Sequence, residues 1–279
     1  MEEEVYLPSQ TELYNRVLLG AVLPSALGEN LPHYFQTFLR NYIFGIAHCF
    51  LSAGLWSFYI YYFKGHVYFP NGKIPRKAAI LKQMWLTIKA FPFYAGLATA
   101  SEYMSERGWT RCFARIEEVG WPMNICYMVI YLLCTEFLSY WVHRLLHDIK
   151  PLFKYFHASH HMFNKQTNIS PFAGFAFHPV DAVLETSPQV VAILLVPMHY
   201  TTYQVLFFLD ALWSINIHDC IHGRVWPILG AGYHMLHYTT NRHNYGRYTL
   251  LLDWFFGTLR DPDAEEEEKK KKKLQQKAF

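Results

Sequence analysis

Charge is scarce in this chain: 17% of its 279 residues are Asp, Glu, Lys or Arg, against 52% hydrophobic and 18% aromatic. A water-borne domain usually carries about a quarter charged residues, so the composition points to a membrane protein. Cysteine is present without pattern. Cys49, Cys112, Cys126, Cys134 and Cys220 show neither CxxC spacing nor an even framework, which excludes a disulfide scaffold and a cysteine zinc finger and leaves reduced thiols as the default. A cleavable signal peptide is not expected, because "MEEEVYLPSQ" is acidic and has no basic segment followed directly by an apolar run. There is no internal repeat, and no HExxH box: Arg144 and Ala158 stand where a zinc protease needs its glutamate. No nucleic-acid partner is expected.

Long apolar stretches fill the space that charge leaves. Residues 42–63 and 122–142 are each about the 20 needed to cross a bilayer as helix. Residues 83–100 form a weaker stretch, broken by Lys89 and Pro92, and residues 189–217 carry Pro197, His199 and Asp210, which suits a bent pair of helices that re-enters the membrane. Buried helices of a large soluble protein are the competing reading. The loop 64–82 holds Lys64, Lys73, Arg76, Lys77 and Lys82 with no acid, and the positive-inside tendency places it in the cytosol. Counting crossings from there, the chain emerges in the cytosol again near Val142. The predicted fold is all-α: a multi-pass membrane protein of about four transmembrane or re-entrant helices with a cytosolic, histidine-rich helical domain. The predicted division is an anchor region over 1–142, a chemical region over 143–262 and a charged cytosolic tail over 263–279, where Glu265 with Lys269 and Glu266 with Lys270 suit a solvated helix.

The fifteen histidines are unevenly placed. His33, His48, His66 and His199 lie in apolar or turn contexts and read as structural. The others cluster. "HRLLH" sets His143 and His147 at i,i+4 where the third apolar segment ends, and Pro151 then stops that helix. "HASHH" sets His157, His160 and His161 at i, i+3 and i+4, "HDCIH" repeats the i,i+4 spacing with His218 and His222, and "HMLH" gives His234 and His237. One zinc takes about four ligands, so nine imidazoles imply two metals or many idle histidines. Imidazole suits iron, copper and zinc alike; a haem with two axial histidines would not explain repeated boxes. Asp148, Asp181 and Asp219 are candidate acceptors for orienting ring N–H groups, while His178 precedes Pro179 and could start a helix or serve the site. His243 lies off the face of His237.

The order of "HRLLH", "HASHH", "FHPVD", "HDCIHG", the box after "GAGYH", "HNYG" and "DWFFGTLRDP" resembles the membrane fatty acid hydroxylase and sterol desaturase superfamily, and "HRLLHDIKPLFKYFHASHH" through "SPFAGFAFHPVD" is most similar to the plant Δ7-sterol C-5(6)-desaturases. The resemblance spans about residues 42–262. It implies a di-iron centre held by His143, His147, His157, His160, His161, His218, His222, His234 and His237 at the cytosolic face of the endoplasmic reticulum membrane. It also implies oxygen as oxidant, electrons from NADH through cytochrome b5 and its reductase, and a Δ7-sterol converted to a 5,7-diene in sterol biosynthesis. A hydroxylase shares the ligand set and the first hydrogen abstraction, so the boxes leave hydroxylation open. One position departs from the pattern: the family has histidine after His237, and this chain has Tyr238, which favours a weakly active or sterol-binding, non-catalytic relative as a further alternative.

Overall fold

The computed structural model describes residues 2–24, 30–165, 167–223 and 225–277, and among them helix dominates. In chain order the helices are α1 (Glu2–Gly20), α2 (His33–Phe58, extended by a π turn over Tyr59–Phe63), α3 (Gly65–Tyr68), α4 (Lys77–Glu106), α5 (Trp121–Asp148), α6 (Lys150–Tyr155), α7 (Pro179–Leu195), α8 (Tyr200–Ile217), α9 (Ala231–Thr240), α10 (Leu251–Phe255) and α11 (Pro262–Lys277). A two-residue parallel pairing of β1 (Cys112–Phe113) with β2 (Met198–His199) ties the entrance of α5 to the α7–α8 junction. Helix α4 packs against α2 and α7, and α7 also packs against α5.

Among the described residues, two helical stretches are long and apolar enough to cross a membrane, His33–Phe63 and Trp121–Asp148. They contain the apolar segments 42–63 and 122–142. Segment 83–100 lies inside α4, which runs through Pro92. Segment 189–217 divides as a bent pair should: Val196, restricted by the following Pro197, adopts extended φ −115°, ψ 130°, ending α7. The His199 side chain then accepts from the Thr202 N–H and opens α8.

The polarity of α5 is inverted relative to a soluble helix. Its interior face carries Asn124, Thr135, Glu136, Ser139 and His143, while Ile125, Val129, Ile130, Leu133 and Phe137 face outward, Leu133 at 62% exposure. Hydrocarbon around the helix, rather than water, makes that arrangement favourable. Inside, polar groups meet each other. Arg40 of α2 pairs with both carboxylate oxygens of Glu102 on α4, which also accepts from Asn41 Nδ2 at 2.8 Å and Tyr200 Oη at 3.0 Å. Because the pair is buried, removing one member would strand a charge, a loss of about 3–5 kcal/mol.

The histidine-bearing segments depart from the expected helical faces in two places. "HASHH" forms two successive 3₁₀ turns, His157–Ser159 and His161–Phe163, not one α-helix. "HDCIH" is not helical either: α8 ends at Ile217, Asp219 Oδ1 takes the Ile221 N–H at 2.7 Å, and Cys220 has φ 64°. That Asp-centred turn replaces the next helical hydrogen bond and separates His218 from His222. In the tail, Glu266 and Lys270 pair at 2.9 Å; the Lys269 side chain, expected to pair with Glu265, lies outside the described residues.

Candidate metal centre

Imidazoles from α5, the two 3₁₀ turns, the end of α8 and α9 converge on one buried region as two adjoining clusters. In the first, one ring nitrogen from each of His143, His147, His157, His161 and His237 lies within 4.8 Å of all the others. The second brings together His160, His218 and His234 on the same criterion. Two of the segments feed both: His157 and His161 enter the first cluster and His160 the second, while on α9 His237 enters the first and His234 the second. His222 joins neither. It is exposed, beside Gly232 and the start of α11.

Ring orientation is set from behind. The Nδ1–H groups of His143, His218 and His237 donate to the carbonyl oxygens of Tyr245 at 3.1 Å, Ser214 at 2.6 Å and His243 at 2.8 Å. A carbonyl can only accept, so in each neutral ring the Nε2 is a bare lone pair, the tautomer that binds a cation. His157 turns Nδ1 to Asp181, 2.9 Å from Oδ2, and Nε2 to His161 Nε2 at 3.2 Å; His237 Nε2 is also 3.2 Å from His161 Nε2, and His234 Nε2 is 3.1 Å from His218 Nε2. Adjacent ligands with bonds of about 2.1 Å to one ion are separated by roughly 3.0–3.4 Å, so the spacing suits a shared cation in each cluster. His147 Nε2 is buried without a protein partner.

Burial also keeps the rings neutral. It pushes His157 and His218 down to about 4 and holds His160, His161, His234 and His237 well below the ordinary value. The same burial pushes Asp181 up to about 8, so without a cation the His157–Asp181 pair rests uncharged. A cation at His157 Nε2 would favour the carboxylate, which then accepts from Nδ1–H. Replacing Asp181 by alanine is therefore expected to weaken metal binding by about 10- to 100-fold while the chain stays folded, as competition with a calibrated chelator would measure.

Tyr238 is part of the second cluster. Its Oη is 2.5 Å from His160 Nε2 and 3.1 Å from His218 Nε2, and its side chain is fully buried. Burial holds the phenol well above its ordinary range, so the hydroxyl keeps its proton between two would-be ligand nitrogens.

Of the other candidates, Asp181 reaches a ring of the clusters with its side chain. Asp148 pairs with Arg144 at 3.3 Å, and Asp219 accepts from Trp56 Nε1 at 3.0 Å. His178 caps α7, accepting from the Val180 N–H at 3.2 Å. His243 acts through its carbonyl, while its ring meets Thr240. Among the histidines read as structural, His33 pairs with Glu106 at 2.9 Å and His48 stacks on Phe208. The motifs after the last box turn out to be supports. Asp253 accepts from the N–H groups of Tyr245 and Gly246, each at 2.8 Å, which fixes the carbonyl that His143 uses. Gly246 is required there, because a Cβ would lie 2.1 Å from the Thr249 carbonyl oxygen. Glu136, inside the apolar α5, accepts from the Tyr248 and Thr249 N–H groups at 2.8 and 3.0 Å. An ionisable residue within an apolar segment was the available signal for that role.

An apolar cavity of about 530 Å³ runs between α2, α4, α7 and α8, with Phe44, Phe91, Phe207 and Phe208 in its walls. Phe177, Glu185, Ser214 and Arg247 line both this cavity and the chamber containing His143, His157, His160, His218 and His234. The volume lies within the ~300–1,000 Å³ of small-molecule sites.

Comparison with known proteins agrees with these elements. The Fatty acid hydroxylase family model matches residues 128–258. The chain is 56% identical to the Δ7-sterol-C5(6)-desaturase of Nicotiana tabacum, with 92% of this chain and 95% of the tobacco protein aligned. It is 50% identical to the provisionally named Δ7-sterol-C5(6)-desaturase 2 of Arabidopsis thaliana over 92% of each chain, and 32% identical to lathosterol oxidase of Rattus norvegicus over 68% of this chain and 64% of the rat protein. No solved structure matches. With both histidine clusters inside or beside the matched region and near full-length identity to the tobacco protein, the chain belongs to the fatty acid hydroxylase family, in the branch of the Δ7-sterol-C5(6)-desaturases.

Proposed function

We propose that the chain introduces the C5=C6 double bond into Δ7-sterols, using two irons held by the His143, His147, His157, His161, His237 and the His160, His218, His234 clusters. The observation that carries this reading is that the apolar cavity lies directly against the histidine chamber, the two sharing Phe177, Glu185, Ser214 and Arg247 in their walls. Two hydrogens leave C5 and C6. One molecule of oxygen, two electrons from NADH through cytochrome b5 and its reductase, and two further protons complete the formation of two waters. Bound iron supplies the oxidising power for C–H cleavage. The protein's part is positional. Rigid aromatic walls hold a flat ring system, the neutral imidazoles keep lone pairs available, and the dry chamber confines the reactive step. Stacking of His160 on Phe177, with ring centres 4.0 Å apart, fixes one imidazole at the wall the chamber shares with the apolar cavity.

Expression in cells lacking their own C-5 desaturase tests the assignment: accumulation of a 5,7-diene supports it. A hydroxylated sterol would replace it with the hydroxylase reading, and unchanged substrate would favour the non-catalytic reading to which Tyr238 points.

The proposed setting is the endoplasmic reticulum membrane, with the histidine clusters on the cytosolic side. Support comes from the inverted polarity of α5 and the basic loop between α2 and α4. A glycosylation acceptor inserted after Pro262 is expected to remain unmodified; modification of that site would reverse the orientation.

A further inference from the structure

We infer that Glu185 is the hydrogen-bond acceptor for the 3-hydroxyl of the substrate, fixing ring A where the apolar cavity meets the histidine chamber; this rests on the sterol desaturase reading. Glu185 lines both spaces. It lies one turn beyond Asp181 on α7, and one oxygen of each carboxylate lies within 4.8 Å of a His157 ring nitrogen. Its Oε1 is buried and has no hydrogen-bond partner in the protein. A buried carboxylate oxygen without a donor is uncommon and points to a ligand that brings one.

The other residues at the junction do not fill this role. Phe177 is apolar. The Ser214 hydroxyl donates its proton to the Gly174 carbonyl at 2.9 Å and, being neutral, is a weaker acceptor than a carboxylate oxygen. Arg247 directs Nε and Nη2 to Asp210, and its Nη1 meets the backbone carbonyl of Glu185 at 3.5 Å, not the carboxylate.

Sterol geometry then decides which end of the cavity receives the hydroxyl. The carbon that bears it is separated from C5 by a single ring carbon. A sterol whose C5–C6 bond faces the metal clusters therefore holds its hydroxyl at the chamber end, with the remaining rings and side chain directed along the aromatic walls. Glu185 is the acceptor at that end.

The test compares binding of a Δ7-sterol and of the same sterol lacking its 3-hydroxyl. Iron-loaded protein in lipid nanodiscs is kept anaerobic and without reductant, as wild type, Glu185→Leu and Glu185→Gln. Wild type is expected to prefer the hydroxylated sterol by roughly tenfold or more. Glu185→Leu should bind both sterols alike, at the affinity wild type has for the deoxy compound, and Glu185→Gln, which still offers an acceptor oxygen, should keep part of the preference. A Leu variant that retains the full preference, or weakens toward both sterols equally, overturns the assignment. Loss of iron from the Gln variant also overturns it, by making Glu185 a metal ligand. Wild type that binds neither sterol here, and forms no diene in a separate assay supplied with oxygen and reductant, sinks the desaturase reading itself, an outcome distinct from these.

Discussion

His147→Ala is expected to reduce diene formation to below detection, a fall well beyond the ~10- to 100-fold that loss of an outer hydrogen-bond partner causes. His160→Ala should do the same, for a different reason. His147 contributes a buried, otherwise unpartnered Nε2 to the cluster of five imidazoles, within 4.8 Å of the ring nitrogens of His143, His157, His161 and His237. His160 belongs to the cluster of three, beside His218 and His234, and stacks on Phe177, which also lines the apolar cavity. If two irons act together, either loss is sufficient. Iron content separates the variants: each should lose about one atom per chain, with His147→Ala sparing the metal at His160 and His160→Ala sparing the metal at His147. Both proteins should remain in the membrane, since neither residue belongs to the outward-facing apolar surface of α5. Normal product from either variant would defeat the di-iron reading.

Much of this centre is legible in the chain, but only as spacing. "HMLH" followed by Tyr238 becomes α9 with His234, His237 and Tyr238 all buried. "HRLLH" completes α5 before Lys150–Tyr155 starts anew with Pro151 in its first turn. What spacing cannot tell is which rings meet. "HDCIH" has the same i,i+4 interval as "HRLLH", yet Asp219 captures the Ile221 N–H and His222 ends exposed. A hydrogen bond formed within three residues outweighs helical continuation there. The three main-chain acceptors, from Ser214, His243 and Tyr245, have no sequence signature, because any residue supplies a carbonyl. Glu185 is equally silent: a single carboxylate on α7 acquires meaning only from the two spaces it borders. The membrane-crossing lengths of 42–63 and 122–142 are legible because apolar run length is a local property, whereas 83–100 and 189–217 are shaped by packing and by Pro197.

Tyr238→His is expected to raise both iron content and desaturation. The structure localises the effect of the tyrosine: His237, its neighbour on α9, serves the cluster of five imidazoles, while Tyr238 itself enters the cluster of three, with Oη 2.5 Å from His160 Nε2 and 3.1 Å from His218 Nε2. On the proposed di-iron reading the first metal position is therefore complete without residue 238. The second has three imidazoles and a phenol. Burial keeps that phenol protonated, so a cation entering beside it must either displace a proton into a medium that solvates it poorly or forgo the ligand. A neutral imidazole at 238 carries a lone pair at ordinary pH and removes this penalty. Iron bound to the wild-type chain should accordingly titrate in two steps, with the weaker step assigned to the His160, His218, His234 position, and Tyr238→His should strengthen that step selectively. Diene formation should rise in parallel, because both irons are then present at lower metal concentration. The parent protein should retain reduced activity at high iron, since three imidazoles and water can still hold a metal. Equal iron affinity and equal turnover in parent and variant would make Tyr238 a tolerated replacement; an inactive parent that the histidine does not rescue would place the defect elsewhere and revive the sterol-binding alternative.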